Sequence, residues 1–125
     1  MIPNRIIQLT EDGSHTIFID DMHVTYHSKH GAIQESKHIF INEGLRYIID
    51  QNKQSFNKTI NIFEVGFGTG LNALLSLQYA ILNNQEIIYE TIEPYPLSIE
   101  ESNHLNYASL INEELKKYFL LMHKC

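Results

Sequence analysis

The chain has 125 residues, 43% of them apolar, with 9 basic against 15 acidic side chains and a formal net charge of −6. That length supports one small domain with a real core, and that apolar content excludes a disordered chain. The acidic balance argues against this segment gripping a nucleic-acid backbone by itself, and no apolar run approaches the roughly 18 residues of a membrane span.

Met1 to Thr10 lack the continuous apolar core of a signal peptide. Cys125 is the single cysteine and cannot pair within the chain, which fits a reducing, cytoplasmic setting. Arg5 to Leu9 reads as a strand. Asp12-Gly13 is a strong hairpin signal, and His15 to Ile19 follows as a second strand. Asp20-Asp21 marks another turn, His23 to Tyr26 a third strand, and Lys29-His30-Gly31 closes a small antiparallel β unit. From Ala32 the spacing of Ile33, Ile41, Leu45, Ile48 and Ile49 predicts helix, with Gly44 breaking the run into two. The polar stretch from Gln51 to Lys58 reads as a loop and as a boundary. The first unit is placed at residues 1–58 and the second at 59–125.

The second unit opens on Ile60 to Asn72, Ile-Asn-Ile-Phe-Glu-Val-Gly-Phe-Gly-Thr-Gly-Leu-Asn. A short apolar run ends at Glu64, glycines follow at 66, 68 and 70, and helical spacing begins at Leu71. The pattern predicts a buried strand, a tight glycine loop and a helix ending at Asn83-Asn84. Glycines without a Cβ let such a loop press its backbone against a ligand. A dinucleotide fingerprint would need glycine at 71, where Leu stands, and a Walker phosphate loop would need a Lys that is missing. The E-x-G-x-G-x-G pattern instead resembles motif I of S-adenosylmethionine-dependent methyltransferases.

Glu86 to Glu93 reads as the next strand, and Pro94 discourages helix at Glu93. Glu93 lies 23 positions after Gly70. In nucleotide-type α/β folds, an acid about 20 residues on accepts the two ribose hydroxyls. Ser98 is the N-cap of a helix through about Leu105, and Leu110 to His123 forms another. The β-α-β-α order predicts a parallel α/β sheet of the Rossmann-like class, preceded by the small antiparallel unit. Two core strands are too few for such a sheet, so a truncated α/β domain is expected, with a complete small α+β domain as the alternative. His23, His27 and His30 invite a metal reading, but strand positions four apart are separated by ~13 Å, too far for two ligands of one zinc. No metal is expected.

The N-terminal unit then adds specificity. Tyr26-His27-Ser28, Gly31 to Ser36 with its Glu35-Ser36, His38-Ile39-Phe40 and the Gly66-Phe67-Gly68-Thr69-Gly70-Leu71-Asn72 loop occur in succession. Together they resemble the tRNA aminomethyluridine methyltransferases, the methyltransferase half of MnmC and its stand-alone form MnmD. The resemblance runs from about Leu9 to Glu93. It implies transfer of a methyl group from S-adenosylmethionine to the primary amine of 5-aminomethyl-(2-thio)uridine at the tRNA wobble position. It implies tRNA as substrate of the whole enzyme, and a flavin-dependent oxidase domain as a fusion or cooperating partner. By position, Gly66, Gly68, Gly70 and Phe67 would cradle the cofactor. Glu64 would orient the loop or meet the methionine ammonium, with Asn72 closing the motif, and Glu93 would bind the ribose. Tyr26, Ser28 and Glu35 are weaker candidates for the same pocket. The family's later Asp-Ala-Phe-Ala-Pro-like segment, which carries its usual catalytic candidate, is absent, so no catalytic residue is named. The chain alone is expected not to methylate tRNA. The apolar cluster Tyr118 to Met122 would promote self-association if uncovered. The competing reading is a non-catalytic α/β interaction module whose glycine loop is only a turn.

Overall fold

The computed structural model describes residues 4–51 and 58–124. Most of the polar stretch expected as a loop, 52–57, lies outside the described residues, as does Cys125.

Strand β1 (Arg5–Leu9) pairs antiparallel with β2 (His15–Ile19), from Arg5 opposite Ile19 to Leu9 opposite His15. Strand β3 is only Val24–Thr25 on the far edge of β2, shorter than the run from His23 to Tyr26. The reason is local. Asp20–Met22 winds into a single 3₁₀ turn that ends with His23 in the left-handed region at φ 52°, which cannot extend a strand.

The β1–β2 turn caps the next helix, α1 (Ala32–Ser36). The Ala32 N–H donates to Thr10 Oγ1 (3.2 Å), Ile33 N–H to Ser14 Oγ (3.1 Å) and Gln34 N–H to Asp12 Oδ2 (2.9 Å). Three orphan donors of the first helical turn are thus satisfied by side chains some 20 residues earlier. Asp12 also accepts from Thr10 Oγ1 and from the Ser14 hydroxyl and N–H. Burial raises the pKa of the Asp12 carboxyl, but these donors more than offset it and hold it below its ordinary value. Gly31 is fixed by this packing, because a Cβ there would sit 2.6 Å from Asp12 Oδ2.

Helix α1 runs without interruption into a π-helical segment, Lys37–Leu45, and then α2 (Arg46–Gln51). The expected break at Gly44 does not occur. A Cβ there would meet only the Ile39 carbonyl oxygen at 3.6 Å, an ordinary contact. The irregularity is instead a widening of the helix that turns Ile41 and Leu45 into the core.

Strand β4 (Ile60–Val65) and β5 (Ile87–Ile92) form a parallel pair, linked by α3 (Leu71–Asn83). Leu71, Leu74 and Leu75 of α3 are buried in the core, which Ile60, Ile62 and Ile87 adjoin from one face of the sheet. The other face, Asn61, Phe63 and Val65 beside Ile88, Glu90 and Ile92, is exposed. Phe63 is 64% and Val65 75% exposed, so β4 is half-covered and not the buried strand its sequence predicts. A short, mostly apolar run cannot by itself report which face a second layer covers.

Helix α4 (Ile99–His104) begins at the expected Ser98, which forms a reciprocal capping box with Glu101. The single helix expected from Leu110 to His123 is divided into α5 (Tyr107–Ile111), a 3₁₀ turn at Glu113–Leu115 and α6 (Lys116–Met122). Asn112 is extended (φ −165°, ψ 111°), and its side chain caps the Glu114 N–H. Local side-chain capping has outcompeted helix continuation. Phe119 of α6 is buried while Tyr118 and Leu121 face outward.

Ile17, Ala32, Leu45, Leu74, Leu97, Tyr107 and Phe119 belong to one hydrophobic cluster that draws on every part of the chain. The chain is a mixed α/β structure with a three-stranded antiparallel sheet and a two-stranded parallel sheet. Among the described residues no helix is long and apolar enough to cross a membrane.

Arg5 ties the first strand to the second unit. Its guanidinium forms a bidentate pair with Glu101 (2.9 and 2.8 Å) and donates to the Tyr95 carbonyl (2.8 Å). Arg5→Met keeps the apolar stem and removes these bonds. It should lower unfolding free energy by about 2 kcal/mol, read by urea denaturation, the worth of a partly buried charged hydrogen-bond set.

Candidate functional site

The site forms where β4 ends. Gly66, Gly68 and Gly70 all have positive φ (87°, 58° and 80°), which turns the chain sharply from β4 into α3. They differ in what surrounds them. A Cβ on Gly66 would meet nothing within 4 Å, one on Gly68 would press on Tyr26 Cδ2 at 3.2 Å, and one on Gly70 would strike Phe67 and His123 below 3 Å. Gly66 therefore opens toward solvent, while Gly70 serves tight packing at the start of α3.

A cleft of about 300 Å³ lies beside this loop. Of the residues expected there, Tyr26, Glu35, Glu64, Gly66, Phe67, Gly68 and Asn72 line it. Ser28, Gly70 and Glu93 do not. The Ser28 hydroxyl accepts from the His30 N–H and its own N–H donates to Glu35 Oε1 (3.1 Å), so it shapes the turn before α1. Glu93 sits under the loop: Oε1 accepts the Gly68 N–H (2.7 Å) and Oε2 the Tyr95 N–H (3.1 Å). A loop amide of the kind that a phosphate would take is thus engaged by an internal carboxylate.

Sequence reasoning missed His27, Ser36, Ile39, Phe40 and Thr69, which also line the cleft. Ser36 ends α1, and Ile39 and Phe40 lie in the π-helical segment that follows, which no periodicity argument anticipates. The signal for His27 was present, since it stands between Tyr26 and Ser28 in a segment already singled out.

Glu64 projects from β4 between β5 and α3. Its Oε2 accepts from Asn72 Nδ2 (3.0 Å), its Oε1 lies 3.5 Å from the Thr91 hydroxyl, and Tyr89 is close by. Burial raises the Glu64 pKa, opposed by Asn72, Tyr89 and Thr91 and reinforced by the Glu93 charge. Asn72 Oδ1 is buried with no hydrogen-bond partner. Two carboxylates, Glu35 and Glu64, and the rings of Tyr26, Phe40 and Phe67 line the cleft, and among the described residues no Lys or Arg does. Such a surface suits a cationic ligand carrying N–H donors and repels a phosphate.

Thr69, between two of the glycines, is 1% exposed. His27 Nε2 lies 2.9 Å from its hydroxyl, and His123 Nε2 donates to its carbonyl oxygen (3.0 Å). The His123 ring packs between Phe67 (5.0 Å) and Phe119 (4.8 Å). Burial lowers the pKa of both histidines, against the opposing pull of Glu35 on His27 and of the Thr69 carbonyl on His123. The unfolded chain therefore takes up these protons first as pH falls. Stability should be full above about pH 6.5 and decline as the pH drops from there toward the lowered folded-state values. Thermal unfolding at a series of pH values should show this decline, and a His27→Gln, His123→Phe double variant should lessen it, leaving the share of His15, whose pKa burial also lowers.

Among solved structures, the chain is similar to the crystal structure of MnmC2 from Aquifex aeolicus, with a TM-score of 0.62 and 30% sequence identity. The match covers 77% of this chain and 31% of that one, so this chain spans about a third of its neighbour's length. No protein-family model and no curated protein matches. The structural likeness is consistent with the MnmC/MnmD type of tRNA methyltransferase that the glycine loop and the Tyr26 to Phe40 segment resemble.

Proposed function

We propose that this chain supplies the cofactor-binding part of an S-adenosylmethionine-dependent methyltransferase that modifies tRNA. The reaction we assign to the whole enzyme is methylation of the amine of 5-aminomethyl-(2-thio)uridine at the wobble position. The observation that carries the reading is the cleft at the end of β4: a glycine loop, two carboxylates, three aromatic rings and, among the described residues, no Lys or Arg. The cofactor supplies a methyl group on a sulfonium and carries an ammonium and a ribose, and the residues present fit those groups. The unpartnered Asn72 Oδ1, with Glu64 beside it, offers acceptors for an ammonium. Tyr26, Phe40 and Phe67 offer ring faces to a cation. Gly66 leaves room for close approach. Glu93, at the end of β5, would turn toward the ribose hydroxyls, giving up its hold on Gly68.

For the reaction itself, positioning of the attacking nitrogen is the main task, together with keeping it unprotonated. No residue of this chain is assigned to take that proton. The cellular setting we propose is cytoplasmic, with tRNA and a flavin-dependent oxidase as partners of the whole protein.

A second reading has one observation behind it. Glu93 already satisfies the Gly68 N–H from within, as a glycine turn without a ligand would require. In that case the chain is an α/β interaction module. Calorimetric titration separates the two. Saturable binding of S-adenosylmethionine without binding of NADH, weakened at least tenfold by Gly68→Val or Glu93→Ala, is the expected result. No binding of S-adenosylmethionine at millimolar concentration would overturn the cofactor assignment for this chain.

A further inference from the structure

Resting on the cofactor reading above, we infer that His27 is a positioning residue of the cleft, setting the glycine loop and the Glu35 carboxylate together. The strand-end segment that carries it is anchored first. The Tyr26 N–H donates to the Ile17 carbonyl (2.8 Å) and the His27 N–H to Thr16 Oγ1 (2.9 Å), so both residues leave β3 at a fixed height above the loop. From there Tyr26 lies against Gly68, and His27 reaches the neighbouring Thr69.

The imidazole touches two different walls. Nε2 lies 2.9 Å from Thr69 Oγ1, and Nδ1 lies 3.6 Å from Glu35 Oε1. With a carboxylate facing Nδ1, the ring proton belongs on Nδ1, and Nε2 then accepts the Thr69 hydroxyl. Thr69 Oγ1 in turn lies 3.4 Å from the Leu71 N–H, at the first residue of α3. Glu35 Oε1 takes the Ser28 N–H as well, which holds one oxygen of this carboxylate toward the histidine. One ring thus joins the end of β3, the glycine loop, the start of α3 and helix α1. All four elements contribute to the cleft or border it. Thr69 is 1% exposed and its hydroxyl is already engaged by His27, so that hydroxyl acts on the site through the backbone of Gly68 and Gly70.

Two substitutions dissect the ring. Gln places an amide oxygen near the position of Nε2 and keeps the Thr69 contact, whereas Ala removes both arms. The whole chain would be titrated calorimetrically with S-adenosylmethionine for the wild type, His27→Ala, His27→Gln, Thr69→Val and the double variant His27→Ala, Thr69→Val. Loss of the Thr69 contact should weaken binding by about five- to tenfold, the worth of one buried hydrogen bond. The double variant should bind no worse than His27→Ala, and His27→Gln, which keeps the Thr69 contact and loses the Glu35 one, should bind between His27→Ala and the wild type. Fully additive losses in the double variant, or wild-type affinity in His27→Ala, would overturn the proposal.

A second measurement does not need the ligand. The amide nitrogen and proton shifts of Gly68 and Gly70 should move alike in His27→Ala and Thr69→Val and stay in place in His27→Gln. If the wild type fails to bind S-adenosylmethionine, the cofactor reading fails, while these shifts still decide whether His27 sets the loop. Unmoved shifts in His27→Ala would show a ring that only fills space.

Discussion

A knot of short polar side chains in the β1–β2 turn holds this molecule's parts in register. Thr10, Asp12 and Ser14 hydrogen-bond one another and cap the first turn of α1. The same turn reaches the other end of the chain. Asn106 Nδ2 donates to the Gly13 carbonyl (2.8 Å), Asn106 Oδ1 accepts the His15 N–H (2.9 Å), and the Tyr107 hydroxyl donates to the His15 carbonyl (2.6 Å). Thr10 and Ser14 are buried, so their groups have no water to fall back on. Removing either hydroxyl leaves one α1 amide without its cap and loosens the helix that carries Glu35 and Ser36 to the cleft.

The N-terminal β unit is therefore part of the site and not an appendage to it. A glycine loop at the end of a parallel strand gives a concave backbone, but one wall only. The opposite wall comes from Tyr26, His27, Glu35 and the π-helical segment with Ile39 and Phe40. A segment of this kind inside a helix often marks a functional site, because it redirects side chains that a regular helix would send elsewhere. Here it supplies Ile39 and Phe40 to the cleft while keeping Ile41 and Leu45 in the core.

The electrostatics of the cleft centre on Glu64. Glu64 is half-buried among Asn72, Tyr89 and Thr91, and burial raises its pKa, so a cation placed beside it would favour its charged form. The likeness to MnmC2 concerns about a third of that protein, and what this chain shows of the site is the end of β4 and its surroundings.

Several features were legible in the sequence for physical reasons. Strand β2 and the Asp12-Gly13 turn, the β4–glycine loop–α3 unit and the Ser98 cap follow from local rules: alternation, left-handed glycines and side-chain oxygens at helix starts. The glycine spacing and the missing Lys also set this loop apart from a dinucleotide fingerprint and a Walker phosphate loop. Sequence alone could not reveal that Thr69 is held between His27 and His123, 42 and 54 positions away. Nor could it show that Glu93 turns back onto Gly68, that the helix after Ala32 widens past Gly44, or that Asn112 divides the last helix. Each of those depends on which distant group arrives to satisfy a donor, an acceptor or an apolar face. Local propensity fixes where an element can start, whereas packing between elements decides which of its side chains face the cleft.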